Sequence, residues 1–214
     1  MKKYIISLVL FSISGGLGML LYKLFEIPFG SEISSIIFRF SVGLMFISLT
    51  LKLTKPKDGF WKFQRLTQEQ VGFTFLILLL FALNNYLHTQ YGNSSFFAQN
   101  VAVSLVVFGY LVNSFFEEFA YRGFIQGYVN QKLAAPFTPL SQGNLFASFL
   151  MTATHVGFFQ VMDFVFAFSS VFLVLLFSLI MGYLRDKGCS IWFLIVIHTM
   201  VNIVHLLFHI DQYM

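Results

Sequence analysis

Charge is what this chain has least of: Asp, Glu, Lys and Arg make up 10% of its 214 residues. Soluble domains carry about a quarter. With 57% hydrophobic residues and a mean hydropathy of +0.79, the chain instead holds repeated apolar runs. Runs of about 20 apolar residues are long enough to cross a bilayer as helices. A sizeable soluble domain is excluded, and the expected fold is an all-α, polytopic transmembrane helical bundle. Cysteine is nearly absent as well, and the lone Cys189 excludes an internal disulfide. Repeats and low-complexity segments are missing. So is an A-x-A-like cleavage site behind the first apolar stretch, which is therefore expected to be a retained helix and not a signal peptide.

What is present is grease with punctuation. Thirty Phe suit lipid-facing and helix-packing surfaces, although a compositional bias of the source genome accounts for them equally well. Seven apolar spans are expected, at about 4–22, 33–51, 71–90, 97–119, 143–158, 163–184 and 190–208. The net charge of +4 is no nucleic-acid signal, because the basic residues gather at span ends. Lys2 and Lys3 precede the first span. Lys52, Lys55, Lys57, Lys62 and Arg65 follow the second, Lys132 the fourth, and Arg185 and Lys187 the sixth. These are alternate loops. The positive-inside rule makes that side cytoplasmic, with the N-terminus inside and an odd span count sending the C-terminus out. The stretch GFWKFQRLTQEQVGF (59–73) reads either as an interfacial amphipathic helix or as a polar loop with aromatic anchors.

The exception to this pattern is NSFFEEFAYRGF (113–124), where Glu117, Glu118 and Arg122 fall inside a span. A charge at a helix centre costs roughly 2.5–3.5 kcal/mol, so three unpaired ones cost on the order of 8–10 kcal/mol. They must be paired or line water. Glu118 and Arg122 stand at i,i+4 and can face each other. Glu117 lies on an adjacent face, between Asn113 four residues before and Tyr121 four after. One carboxylate is thus neutralised, leaving the other to face a cavity as a general base or acid. Two further spans carry polar groups: MTATHVGF holds His155, and HTMVN holds His198 and Asn202 at i,i+4. At 1.5 Å per residue, Glu117, His155 and His198 lie roughly 22, 18 and 12 Å from the basic end of their helices, in one half-membrane zone.

Together, E-E-x-x-x-R in EEFAYR, a middle helix with His155, and H-x-x-x-N in HTMVN resemble the CPBP family of intramembrane proteases. That family includes the type II CAAX prenyl endopeptidases and bacteriocin-processing, Abi-like members. The likeness covers about residues 110–205 and places a CPBP-type catalytic core at 96–214, behind N-terminal transmembrane helices and a cytoplasmic amphipathic loop at 1–95. One position departs: the family usually has Phe four residues before the middle His, and here it is Met151. The resemblance implies that Glu117 and His155 activate water, that Glu118 and Arg122 support them, and that His198 and Asn202 bind the oxyanion. It implies a hydrolase acting on a membrane-associated peptide or protein. Family members are described both as glutamate-dependent and as metalloproteases. No H-E-x-x-H pair is present, so no cofactor is expected, zinc being the less favoured alternative. There is no G-x-G-D for an aspartyl enzyme, and the G-x-S at 188–190 sits in a basic loop.

Other readings of the same residues stand beside this one. The three charges can be an ion-pair network locking helices, and His155, His198 and Asn202 can be interhelical hydrogen-bonders. Gly123 and Gly127 form a G-x-x-x-G suited to close helix packing. Asn84, Asn85 and His88 are expected to satisfy one another or to face the outer boundary, with His205 and His209 interfacial. A non-catalytic immunity or scaffold protein binding a partner through the polar cavity, or a small proton-linked transporter, are the competing functions. The compact, Phe- and Ile-rich chain suggests a bacterial cell membrane. Peptide pheromones, bacteriocin-related peptides or membrane-anchored regulators then suit the family analogy better than prenylated substrates do.

Overall fold

The computed structural model describes residues 2–56, 58–62, 65–92, 103–131 and 140–209. It is helical throughout, with no β-strand among the described residues. Helix α1 runs Lys2–Leu49 and continues as a π-helical turn, Thr50–Thr54. A straight helix of 48 residues would be about 72 Å long. Instead the rings of Phe11 and Phe46 lie 5.9 Å apart. Lys3 Nζ donates to the Tyr128 carbonyl (2.8 Å), and Gln131 donates to the carbonyls of Leu53 and Thr54. The run therefore doubles back between its two membrane spans, Lys2–Leu24 and Ile37–Thr54. The first two spans expected from hydropathy are present as one helical hairpin.

Helix α2 (Gln68–Tyr91) begins at a capping box. Thr67 Oγ1 accepts from the Gln70 amide at 3.2 Å, and Gln70 Oε1 accepts from the Thr67 amide at 2.9 Å. This satisfies two of the amides that open the helix. The stretch 59–73 is accordingly a loop followed by a capped helix. It holds a short 3-10 turn at Asp58–Phe60, a buried Phe60 and a half-buried Trp61, which is the aromatic-anchor reading.

The fourth span does not stop near residue 119. Helix α3 (Val103–Glu118) passes into a π-helix, Phe119–Gln126, and then into α4 (Gly127–Asn130). Its expected start near residue 97, and Lys132 beyond it, lie outside the described residues. Helix α5 (Gln142–Thr154) is shorter than the fifth span suggested. It ends at His155, and a 3-10 segment, Val156–Gln160, continues from there. Helices α6 (Phe164–Asp186) and α7 (Ile191–His209) match the sixth and seventh spans. Among the described residues, five helical segments are long and apolar enough to cross a membrane by themselves. Helices α3 and α5 fall outside that set because they have 16 and 13 residues.

Packing brings α7 against both α2 and α3, and α5 against α6 and the π segment. Two polar clasps fix the ends. At the basic end, Asp186 Oδ1 accepts from Gln126 (2.8 Å) and Asn130 (3.0 Å), while Asn130 also donates to Ser141, the N-cap of α5. At the opposite end, Asn85 Oδ1 faces His205 Nδ1 at 2.6 Å and His209 Nε2 at 3.2 Å, and Asn84 bonds Ser169 and Ser170. Asn84, Asn85, His205 and His209 thus tie α2 to α6 and α7. Lys3, Thr54 and Asp186 reach one end through these bonds, so the basic loops share a side, as their alternation requires. Cys189 lies in the loop before α7, where burial pushes its thiol up to about 11. A neutral buried thiol is a poor nucleophile.

Gly123 and Gly127 face Thr50 and Thr54. A Cβ on Gly123 would lie 2.9 Å from Thr50 Oγ1, and one on Gly127 3.4 Å from Thr54 Cγ2. Thr50 Oγ1 donates to the Phe46 carbonyl (2.8 Å) and approaches the Phe119 carbonyl (3.3 Å). The small residues let two π-helical segments touch, which is the packing role expected of the G-x-x-x-G.

Candidate active site

The site forms where α3 becomes π-helical. Such segments are rare and concentrate at functional sites. Here the change begins one residue after Glu118, and every residue of Phe119–Gln126 is buried. Glu118 and Arg122 are fully buried, with Arg122 Nε 3.8 Å from Glu118 Oε2. The pairing at i,i+4 is as expected. A second partner completes it: Arg122 Nη2 donates to Ser178 Oγ on α6 and lies 3.9 Å from Met151 Sδ. Nothing in the sequence marks Ser178, one of three serines in an apolar span. Met151 is 1% exposed, so this departure from the family pattern is a packed side chain in contact with the buried cation.

His198 enters from α7 and meets both carboxylates. Its Nδ1 lies 2.8 Å from Glu118 Oε1, and its Nε2 lies 3.6 Å from Glu117 Oε2. A carboxylate only accepts, so Nδ1 carries the proton and Nε2 turns toward Glu117. The ring of Phe177 stands edge-on to the imidazole, 5.0 Å away, as an apolar wall. Glu117 is less buried than its neighbour, with 22% of its side chain exposed. Asn113 Nδ2 donates to Glu117 Oε1 at 2.5 Å. Glu117 Oε2 is buried and has no hydrogen-bond partner among the described residues.

Asn202 lies one turn beyond His198, but its amide is directed at α3, where Nδ2 donates to Ser114 Oγ at 2.9 Å. Ser114 was overlooked in the sequence, although it stands at i−4 to Glu118 on the same face.

His155 stands apart from the cluster. No hydrogen bond or ion pair joins it to Glu117 among the described residues. Its Nδ1 donates to the Met151 carbonyl at 2.8 Å, which leaves Nε2 as the basic nitrogen of the neutral ring. What links its helix to the carboxylates is the contact of Tyr121 Oη with Thr154 Oγ1, at 3.1 Å. The structure thus brings Glu117, Glu118, Arg122 and His198 together, seats Asn202 beside them, and connects His155 through its neighbour.

His198 gives Nδ1 to Glu118 and turns Nε2 toward Glu117, and His155 uses Nδ1 on its own helix. Among the described residues, no three His, Cys, Asp or Glu side chains stand so as to hold a metal ion.

A family model described as Rce1-like, "Type II CAAX prenyl endopeptidase Rce1-like", matches residues 98–204. No curated protein and no solved structure matches the chain. The family match takes in half of the chain and all six residues of the site, and the chain belongs to this family of membrane proteases.

Proposed function

We propose that this member of the Rce1-like family is an intramembrane endopeptidase that hydrolyses a membrane-associated peptide or protein without a metal. The observation that carries the reading is the Glu117 carboxylate. It is held by Asn113, half-shielded from solvent, and faces His198 Nε2 at 3.6 Å with one oxygen unpartnered by protein. Such an oxygen suits a general base acting on water.

In the proposed cycle Glu117, assisted by His155 Nε2, takes a proton from water as its oxygen attacks the scissile carbonyl carbon. The developing oxyanion accepts hydrogen bonds from the Asn202 amide and from His198 Nε2, the ring bearing a proton on each nitrogen in this step. The tetrahedral intermediate then collapses, the C–N bond breaks, and the proton held at Glu117 passes to the leaving amine. Glu118 acts through His198: by accepting from Nδ1 it fixes the ring plane and directs Nε2 into the site. Arg122 balances the charge of Glu118, so that a second buried carboxylate stands beside the first. The Tyr121–Thr154 contact supports a small approach of His155 toward Glu117 when substrate is bound.

The test is cleavage of a fluorogenic, membrane-anchored peptide library by purified protein in vesicles, comparing wild type with E117Q, H155A and H198A. Each variant should insert and melt like wild type yet lose cleavage. Wild-type cleavage should survive EDTA and 1,10-phenanthroline, and loss to the chelators would refute the metal-free mechanism. A binding protein would tolerate the isosteric E117Q, and a proton-linked transporter would show pH-dependent flux with no cleavage by either form.

A further inference from the structure

A cavity of ≈ 310 Å³ opens at the basic end of the bundle; Arg122 lines it, and Glu117 and Glu118 do not. Three cations line it, Lys55, Arg122 and Arg185, and no acid does so among its described lining residues. Between them the wall is backbone, at Gly59, Gly123 and Gly188. Glycine lets a ligand approach the main chain closely. The cations are held in place. Lys55 caps the π-turn Thr50–Thr54 in the left-handed region, at φ 46°. Arg185 Nη1 donates to the Cys189 carbonyl at 2.7 Å, and its guanidinium lies 4.5 Å over the Phe60 ring.

Arg122 supplies the independent sign of a ligand. It is fully buried; its Nε is ion-paired with Glu118 and its Nη2 donates to Ser178, but its Nη1 has no hydrogen-bond partner among the described residues. Buried donors without partners are costly, and those of a guanidinium most of all. A planar fork of N–H groups matches the oxygens of phosphate or carboxylate.

Position selects between these. The cavity lies where Thr54 ends one span and Asp186 another, at the hydrocarbon boundary. Trp61 and Trp192 stand 6.3 Å apart at the same level, and Phe60 packs on Trp61. Paired indoles beside span ends mark the headgroup layer. Basic pockets between transmembrane helices are the usual receptors for anionic headgroups.

We propose that this cavity binds the phosphate of an anionic phospholipid headgroup, held by Lys55, Arg122 and Arg185. The site shares Arg122 with the peptidase reading, but its test at Lys55 and Arg185 is separate from it.

The test uses the full chain in neutral detergent, with thermal melting followed by intrinsic tryptophan fluorescence. Four probes are titrated: dihexanoyl phosphatidylglycerol, dihexanoyl phosphatidylcholine, inorganic phosphate, and an apolar tripeptide with a free carboxylate. Phosphatidylglycerol should raise the melting temperature saturably, whereas phosphatidylcholine and the tripeptide should not, and phosphate should do so only weakly. At about 1 kcal/mol per basic side chain, K55Q should weaken the apparent affinity roughly fivefold and K55Q/R185Q roughly 25-fold. R185K should retain most of the response. Melting without lipid shows whether each variant folds, and Lys55 is exposed enough that K55Q alone carries the test. An undiminished response in a folded K55Q, or an equal rise with phosphatidylcholine, overturns the site. An equal rise with inorganic phosphate or with the tripeptide overturns the lipid as its occupant.

Discussion

His198 Nδ1 lies 2.8 Å from Glu118 Oε1, so the imidazole is held by the fully buried glutamate and presents its other nitrogen to Glu117. The two adjacent carboxylates therefore have different work, and their variants should differ. E117Q removes the proposed base and should lower kcat by roughly 10²–10⁴-fold with little change in KM. E118Q keeps the shape but takes the charged acceptor away from Nδ1 and can turn an amide N–H toward it, which loosens the ring that carries the oxyanion donor, so kcat should again fall, with a shifted pH profile. E118A should differ in kind: it strands Arg122 and should destabilise by about 3–5 kcal/mol. Steady-state kinetics together with denaturant melts separate the three. Equal kinetic and stability losses in E117Q and E118A would contradict the division of roles.

Asn202 donates to Ser114 at 2.9 Å, an arrangement that either poises its amide or merely ties α7 to α3. As an oxyanion donor, N202A should cost about 10²–10³-fold in kcat. S114A should leave kcat within a few fold, because it removes only the resting partner of the amide. A packing role predicts the reverse: similar, modest stability losses for both variants and no selective loss of kcat.

Gly123 sits against Thr50, and G123A would bring a methyl to 2.9 Å from Thr50 Oγ1. Overpacking of this size costs about 1–3 kcal/mol. The double variant T50S/G123A, which removes the crowding Cγ2, should recover part of it. G182A should be worse, because its Cβ would fall 1.9 Å from Asn144 Oδ1, and Asn144 is pinned by bonds to Leu179 and Ser148. Melting temperatures in one detergent rank the three variants.

Hydropathy located the long helices among the described residues because apolar length is a property of the residues alone. It missed that helix, not a loop, joins the first two spans, that the fourth runs on past residue 119, and that α5 ends early at Thr154, since these depend on backbone path and not on composition. The site was legible for the same reason that it is costly. Glu117, Glu118, Arg122 and His198 stand out in grease, and a buried charge must have partners. Which carboxylate takes the imidazole was not legible, because adjacent residues differ only in the direction their helix face points. Ser114 and Ser178 escaped notice because a hydroxyl in an apolar span costs little and so announces little.

His155 is joined to the carboxylates through Thr154, whose Oγ1 lies 3.1 Å from Tyr121 Oη, while the imidazole bonds its own helix at Met151. If His155 acts with Glu117, the end of α5 must hold it close enough to meet bound water, and Tyr121 is the tether. Y121F deletes one hydroxyl from a buried ring and should leave the core packed, at a stability cost of about 0.5–1.5 kcal/mol. It should lower kcat several-fold, leave KM within twofold, and add no further loss in an H155A background. That last result separates positioning from bulk stability, because a residue acting through His155 has nothing left to position once the imidazole is gone. Equal Y121F effects with and without His155 would place the tether outside the reaction and leave His155 as a helix-end hydrogen-bonder.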